Sequence, residues 1–161
     1  MRVAIIGQGY VGLTIAVGAA GAGHEVVGFD VDKELVNQLN SGTSHIEGIS
    51  DAELKNFLSN KTYTASTESS SVNGCDVIVI AVPTPLTESR NPDLSYVHAA
   101  VELIQNNVKG PTLIINESTS YPGTLRKEIA ARITGVNHLY ASSPERVDPG
   151  NTQWGTKNTP R

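Results

Sequence analysis

At 161 residues the chain is long enough for one layered domain around a single core and too short for two of ordinary size. Twelve Lys and Arg against sixteen Asp and Glu, scattered along the chain, leave a net charge of -4, which argues against a nucleic-acid or membrane surface as partner. A single cysteine excludes an internal disulfide and suits a reducing, cytoplasmic compartment.

Residues 3–20 are the most apolar stretch, but they contain Gln8, Tyr10 and four glycines. They fall short of the roughly 18 continuous apolar residues that a membrane span needs. The N-terminus lacks a basic segment with a cleavage site, so no signal peptide is expected. The four histidines and the cysteine are dispersed, without the spacing of a metal site.

Residues 2–6 read as a first strand, and residues 10–22 as a helix whose small residues Ala16, Gly18, Ala19 and Ala20 suit close packing on a sheet. Between them stands Gly7-Gln8-Gly9-Tyr10-Val11-Gly12. Residues 25–29 make a second strand, and Asp30 follows it, eighteen residues after Gly12. Strand, glycine turn, helix, strand and acid, in that order, are what a dinucleotide site requires. Gly7 lets the chain turn sharply, Gly9 leaves room for a pyrophosphate, and Gly12 lets the helix approach the sheet. The helix N-terminus presents free N–H groups and partial positive charge to phosphates. Asp30 would accept hydrogen bonds from the ribose hydroxyls and repel a 2′-phosphate, which favours NAD over NADP. Lys33 stands nearby, either as a cofactor contact or as a solvated residue in the first turn of a helix. A packing turn in another kind of α/β domain is the competing reading of the glycines.

Asp32 is placed to cap a short helix with Leu35, Val36 and Leu39 inward, stopped by Gly42. Ser50 and Glu53 form a capping box for a helix carrying Leu54, Phe57 and Leu58. Residues 62–66 read as a weaker strand, and residues 66–73 as a Ser-rich loop with a helical turn. Residues 75–82 are the strongest strand of the chain, apolar on both faces as in the centre of a parallel sheet, and Pro83-Thr84-Pro85 ends it. A polar loop at 86–92 leads into a helix from Asp93 to about Val108, with Leu94, Val97, Val101, Ile104 and Val108 three and four apart. Residues 112–115 are a further strand. Pro122-Gly123-Thr124 opens a helix with Leu125, Ile129 and Ile133 on one face. Residues 138–141 make a sixth strand, and the tail from Asp148 is polar.

Alternating strands and helices predict an α/β fold. A doubly wound, mostly parallel Rossmann sheet of about six strands in the order 3-2-1-4-5-6 lies between two helical layers, and residues 1–161 form one domain. Ligands bind such sheets beyond the carboxyl ends of the strands. The polar residues that follow the strands should therefore converge on one edge.

Several motifs carry a resemblance to the UDP-glucose/GDP-mannose (nucleotide-sugar) 6-dehydrogenase family. They are the glycine turn with Leu13, Asp30-Val31-Asp32, Leu39-Asn40-Ser41-Gly42, His45-Ile46 with Gly48, and Ala81-Val82-Pro83-Thr84-Pro85. Pro92-Asp93-Leu94-Ser95-Tyr96, Glu117-Ser118-Thr119, Pro122-Gly123-Thr124 and Ser143-Pro144-Glu145-Arg146 belong to the same series. The continuation Val147-Asp148-Pro149-Gly150-Asn151 is most similar to the branch acting on UDP-N-acetyl sugars.

The resemblance implies oxidation of the C6 alcohol of a UDP-sugar to a uronic acid with two NAD, through a cysteine-bound thiohemiacetal and thioester. It implies that Thr119 and Glu145 lie near the reacting carbon and its water. Gly7, Gly9, Tyr10, Val11, Gly12, Asp30, Lys33, Val82, Pro83, Thr84 and Thr119 would hold NAD. Read from the residues alone, Glu145 could instead pair with Arg146 on the surface, and Thr119 could cap a turn.

The family's nucleophilic cysteine, its catalytic lysine and its helical dimer domain lie beyond the motifs seen in this chain. Cys75 heads a buried strand and behaves as a small hydrophobe. The chain therefore reads as the amino-terminal, cofactor-binding portion of a longer and homodimeric enzyme, inactive alone. A stand-alone NAD-binding or sensor module, a GDP-mannose dehydrogenase and a β-hydroxyacid dehydrogenase are the alternatives.

Overall fold

Strand Arg2–Ile6 (β1) contributes alternate residues to opposite faces of a sheet. Val3 and Ile5 pack into one apolar cluster, Ala4 and Ile6 into another. In this computed structural model, which describes residues 1–144, the helices that cover those two faces follow from the same alternation. Helix Tyr10–Gly21 (α1) buries Leu13, Ala16 and Val17 against Val3 and Ile5. On the same face lie Lys33–Asn40 (α2), through Val36 and Leu39, and Asp51–Ser59 (α3), through Leu54. Helix Ser95–Asn107 (α4) closes the other face with Val97, Val101 and Ile104. No helix among the described residues is long and apolar enough to cross a membrane.

The sheet also contains Glu25–Phe29 (β2), Tyr63–Ser66 (β3), Val77–Ile80 (β4), Leu113–Asn116 (β5) and Leu139–Ser142 (β6). Its six strands run in the order β3-β2-β1-β4-β5-β6, and every pairing is parallel. This is the expected doubly wound Rossmann arrangement. The direction of winding reverses between β1 and β4, so the ends of these two strands open the crevice where a ligand can sit.

The caps form where the residue types place them. The Asp32 carboxylate accepts from the N–H groups of Glu34 and Leu35, and the Ser50 hydroxyl accepts from Glu53 N–H. Gly42, at φ 78°, supplies the left-handed turn that ends α2.

Several elements depart from expectation. The strand expected over 75–82 is regular only over Val77–Ile80. Its ladder bonds continue at each end, Asp76 N–H to Arg2 O at 2.8 Å and Ala81 N–H to Ile6 O at 2.8 Å, until Pro83, which has no donor, ends the pairing. β5 and β6 each begin and end one residue later than expected. The helix after Pro122 is a π-type segment, Leu125–Ile129, followed by a 3-10 turn, Ala130–Arg132. Leu125, Ile129 and Ile133 recur at an interval of four residues. That interval exceeds the α-helical 3.6, and the wider turn brings the buried Ile129 round to the core.

Candidate cofactor-binding site

At the exit of β1 the glycine turn has the geometry its spacing implies. Gly7 has φ +92°, and a Cβ there would stand 2.5 Å from the Ala81 carbonyl oxygen. Its N–H donates to Phe29 O at 2.8 Å, which ties the turn to the exit of β2. At Gly12 a Cβ would overlap the Gly7 carbonyl oxygen, so only glycine lets α1 start this close to the turn. Gly9 faces open space, with no atom within 4 Å of a Cβ position. It is the residue before α1 and brings no side-chain cap to the helix, whose first turn carries no acid. The first-turn N–H groups are therefore available to an anion.

Beside this turn, on the wall of a cleft of about 690 Å³, stands the Asp30 carboxylate. That volume suits a small-molecule ligand. One Asp30 oxygen accepts from Gln8 N–H at 2.7 Å and the other from Asp32 N–H at 3.0 Å. A carboxylate offers about four lone-pair sites, so acceptor capacity remains for a diol in the cleft.

The opposite wall comes from the exits of β4 and β5. The Ser118 hydroxyl accepts from Val82 N–H at 3.0 Å and donates to Val82 O at 2.8 Å. It locks the two exits together and sets Val82, Pro83 and Thr84 along the cleft, beside Thr119. Helix α4 adds Tyr96 and Leu103, which with Val31 give the cleft an apolar flank.

Gly7, Gly9, Tyr10, Val11, Asp30, Val82, Pro83, Thr84 and Thr119 thus meet in one cleft. Gly12 stands one turn inside, shaping it from behind. Lys33 is exposed at the start of α2 and does not reach the cleft wall. Glu145 lies outside the described residues. Cys75 is buried in the cluster beneath α4 and does not line the cleft. Burial pushes its thiol pKa up, as suits a structural cysteine.

Sequence reasoning passed over Gln8, Glu117 and the α4 flank. Glu117 and Ser118 are buried polar residues in the cleft wall. Gln8 left one signal, a glycine in the middle of the apolar strand β2, which marks a close approach of another group. An open glycine turn, uncapped helix N–H groups and an acid at the β2 exit fit a dinucleotide: phosphates at the turn, a ribose diol at Asp30.

Comparison with known proteins agrees. A family model described as the UDP-glucose/GDP-mannose dehydrogenase family, NAD binding domain, matches residues 1–161. The UDP-N-acetyl-D-mannosamine dehydrogenase of Pyrococcus horikoshii is 38% identical over 157 residues, covering 93% of this chain and 37% of that protein. The solved structure of the P. horikoshii UDP-D-ManNAc dehydrogenase superposes with a TM-score of 0.86 at 37% identity, again over 93% of this chain and 37% of the other. A UDP-glucose dehydrogenase from Pyrobaculum islandicum gives a TM-score of 0.85 at 33% identity, over 92% of this chain and 37% of the other. The chain therefore spans little more than a third of the length of these relatives. It belongs to the UDP-glucose/GDP-mannose dehydrogenase family, and the part of that family it represents is the NAD-binding domain.

Proposed function

We propose that this chain is the NAD-holding part of an enzyme that oxidises the C6 alcohol of a UDP-sugar to the uronic acid. UDP-N-acetylhexosamines are the first substrate class to test, and UDP-glucose the second. The observation that carries the reading is the convergence of Gly9, Asp30, Thr84 and Thr119, from four different strand exits, on one cleft. The N-acetylhexosamine preference draws support from the identity to the P. horikoshii enzyme and from the run that begins at Ser143.

NAD, when bound, supplies the two-electron acceptor for the alcohol carbon. The chain's own residues bind and orient. The first-turn N–H groups of α1 hold the pyrophosphate, and Asp30 grips the ribose. Val82, Pro83 and Thr84 hold the far half of the dinucleotide. Thr119 places a hydroxyl beside the reacting carbon, and Glu145 serves the water. Cys75 is 3% exposed and outside the cleft, so it cannot act as the nucleophile that a covalent route needs.

Isothermal titration with NAD and NADP, and NADH absorbance with UDP-N-acetylglucosamine, UDP-N-acetylmannosamine, UDP-glucose and GDP-mannose, test this reading. The expected result is binding of NAD in preference to NADP and no turnover by the 161-residue chain. Equal affinity for NADP would remove Asp30 from its role. Turnover of any sugar would show that the chain is a complete enzyme.

A further inference from the structure

Gln8 sits between two glycines of the phosphate turn, yet it is fully buried. Its side chain runs inward beneath the turn. The amide nitrogen donates to Ile5 O at 3.0 Å and to Gly7 O at 3.1 Å. The amide oxygen accepts from the Tyr63 hydroxyl at 2.9 Å. Both N–H bonds and the carbonyl are used, which fixes the amide orientation. Tyr63 comes from β3, is 2% exposed, and reaches Gln8 across β2. It can do so only because position 28 carries no side chain. A Cβ on Gly28 would collide with the Gln8 amide and stand 2.9 Å from the Tyr63 oxygen. Burial first, and the charge of Asp30 second, hold the Tyr63 phenol pKa well above its ordinary value, so the hydroxyl remains a donor.

The backbone N–H of this same Gln8 donates to Asp30. One residue therefore joins the phosphate turn, through its neighbours, to the ribose-binding carboxylate, through its amide. A buried glutamine costs free energy unless every polar atom is satisfied. Here the partners that satisfy it hold the turn and the acid in one fixed relation.

We propose that Gln8 and Tyr63, with the space left by Gly28, are a positioning pair that pre-shapes the phosphate turn and aims Asp30 before the dinucleotide arrives. The inference rests on the NAD site described above and adds residues that touch no cofactor atom. A ligand meets a lower apparent affinity when only a fraction of the free protein is binding-competent. Loosening the pair would lower that fraction without removing a single cofactor contact.

Tyr63→Phe, Gln8→Met and the double variant test this in the 161-residue chain, read by amide hydrogen exchange without ligand, by NAD titration and by thermal melting. Tyr63→Phe is expected to speed exchange at the bonded amides of Gly7, Gln8 and Leu13 and to raise the Kd for NAD by about three- to tenfold as the competent fraction falls. The double variant should be no weaker than Gln8→Met alone, because a pair that acts as a unit is lost once.

Unchanged exchange and unchanged NAD affinity, whatever the change in Tm, would show the pair to be core packing only and overturn the proposal. Should Tyr63→Phe fail to fold, Gln8→Met is read by the same criteria. Should the parent chain bind no NAD, the cofactor reading fails, and the exchange rates still decide whether the pair shapes the turn.

Discussion

Where β1, β2 and β3 meet, the ligand-facing groups are held by short backbone contacts and a buried polar residue. Gly12 is pressed on the Gly7 carbonyl, Gly7 is bonded to Phe29, and Asp30 is bonded to Gln8 and Asp32. Where β4, β5 and β6 meet, the corresponding wall is held by the Ser118 hydroxyl on Val82, by the Glu117 and Ser118 N–H groups on Ile80 O, and by the Asn116 amide on Ser118 O. The outermost strand β6 leaves Leu139 71% exposed, and the helix before it is a π-type segment with a 3-10 end. The half proposed to grip phosphate and ribose is shaped by close backbone contacts of the turn. The half proposed to face the chemistry is tied more by side-chain bonds between strand exits, and Glu145 lies outside the described residues. One side is thus fixed by backbone packing that only glycine permits, the other by replaceable side chains.

The sharpest way to break this contrast is Gly12→Val. Its side chain would have to displace the Gly7 backbone, which has no room to move. It should abolish NAD binding and cost about 3 kcal/mol or more, a fall in Tm of roughly 10 °C for a chain of this size.

Asp30→Ala comes next. It removes a charged acceptor from the ribose position and leaves two backbone donors to find water. NAD affinity should fall by about 10- to 100-fold by titration, the usual worth of hydrogen bonds to a charged group, with little change in Tm. A loss of stability equal to that of Gly12→Val would mean that Asp30 is a fold residue first.

Ser118→Ala tests the β4–β5 side. It removes the side-chain tie between the two exits and should cost about 1–2 kcal/mol in denaturant unfolding, with a smaller loss of NAD affinity than Asp30→Ala. The reverse ranking would invert the comparison.

The smallest effect belongs to the outer rim. The His98 imidazole bonded to Glu128 at 2.9 Å, with Arg132 as a second partner, holds the Glu128 carboxyl below its ordinary pKa. A carboxylate whose folded pKa is depressed contributes stability above its unfolded pKa and loses it as pH falls through the folded one. The parent should therefore exceed Glu128→Gln slightly in Tm near neutrality, and the difference should shrink in acid. NAD affinity should be the same in both.

Much of the β1–β2–β3 side was legible in the sequence because its signals are local. Gly7, Gly9 and Gly12 with Asp30 follow from turn, cradle and close-packing demands within one βαβ unit. Asp32, Ser50 and Gly42 cap and stop helices through bonds to residues at most four away. The cleft position of Thr84 and Thr119 followed from strand exits. Of the two readings of Lys33, the solvated one matches its exposure at the start of α2, which no local pattern could decide. Tyr96 and Leu103 stand off the apolar stripe of α4, so the helical period gave them no role, while the cleft makes them wall.

The order of apolar runs, glycines and acids by itself determined a parallel sheet, its strand order and the edge where ligand binds, because strand and helix periods and turn chemistry act over a few residues. Only the tertiary structure decided that Gln8 turns inward to meet Tyr63, fifty-five residues away, through the gap at Gly28. A polar side chain is driven to solvent or into the core by what surrounds it once the strands are paired, and that company is assembled from distant parts of the chain.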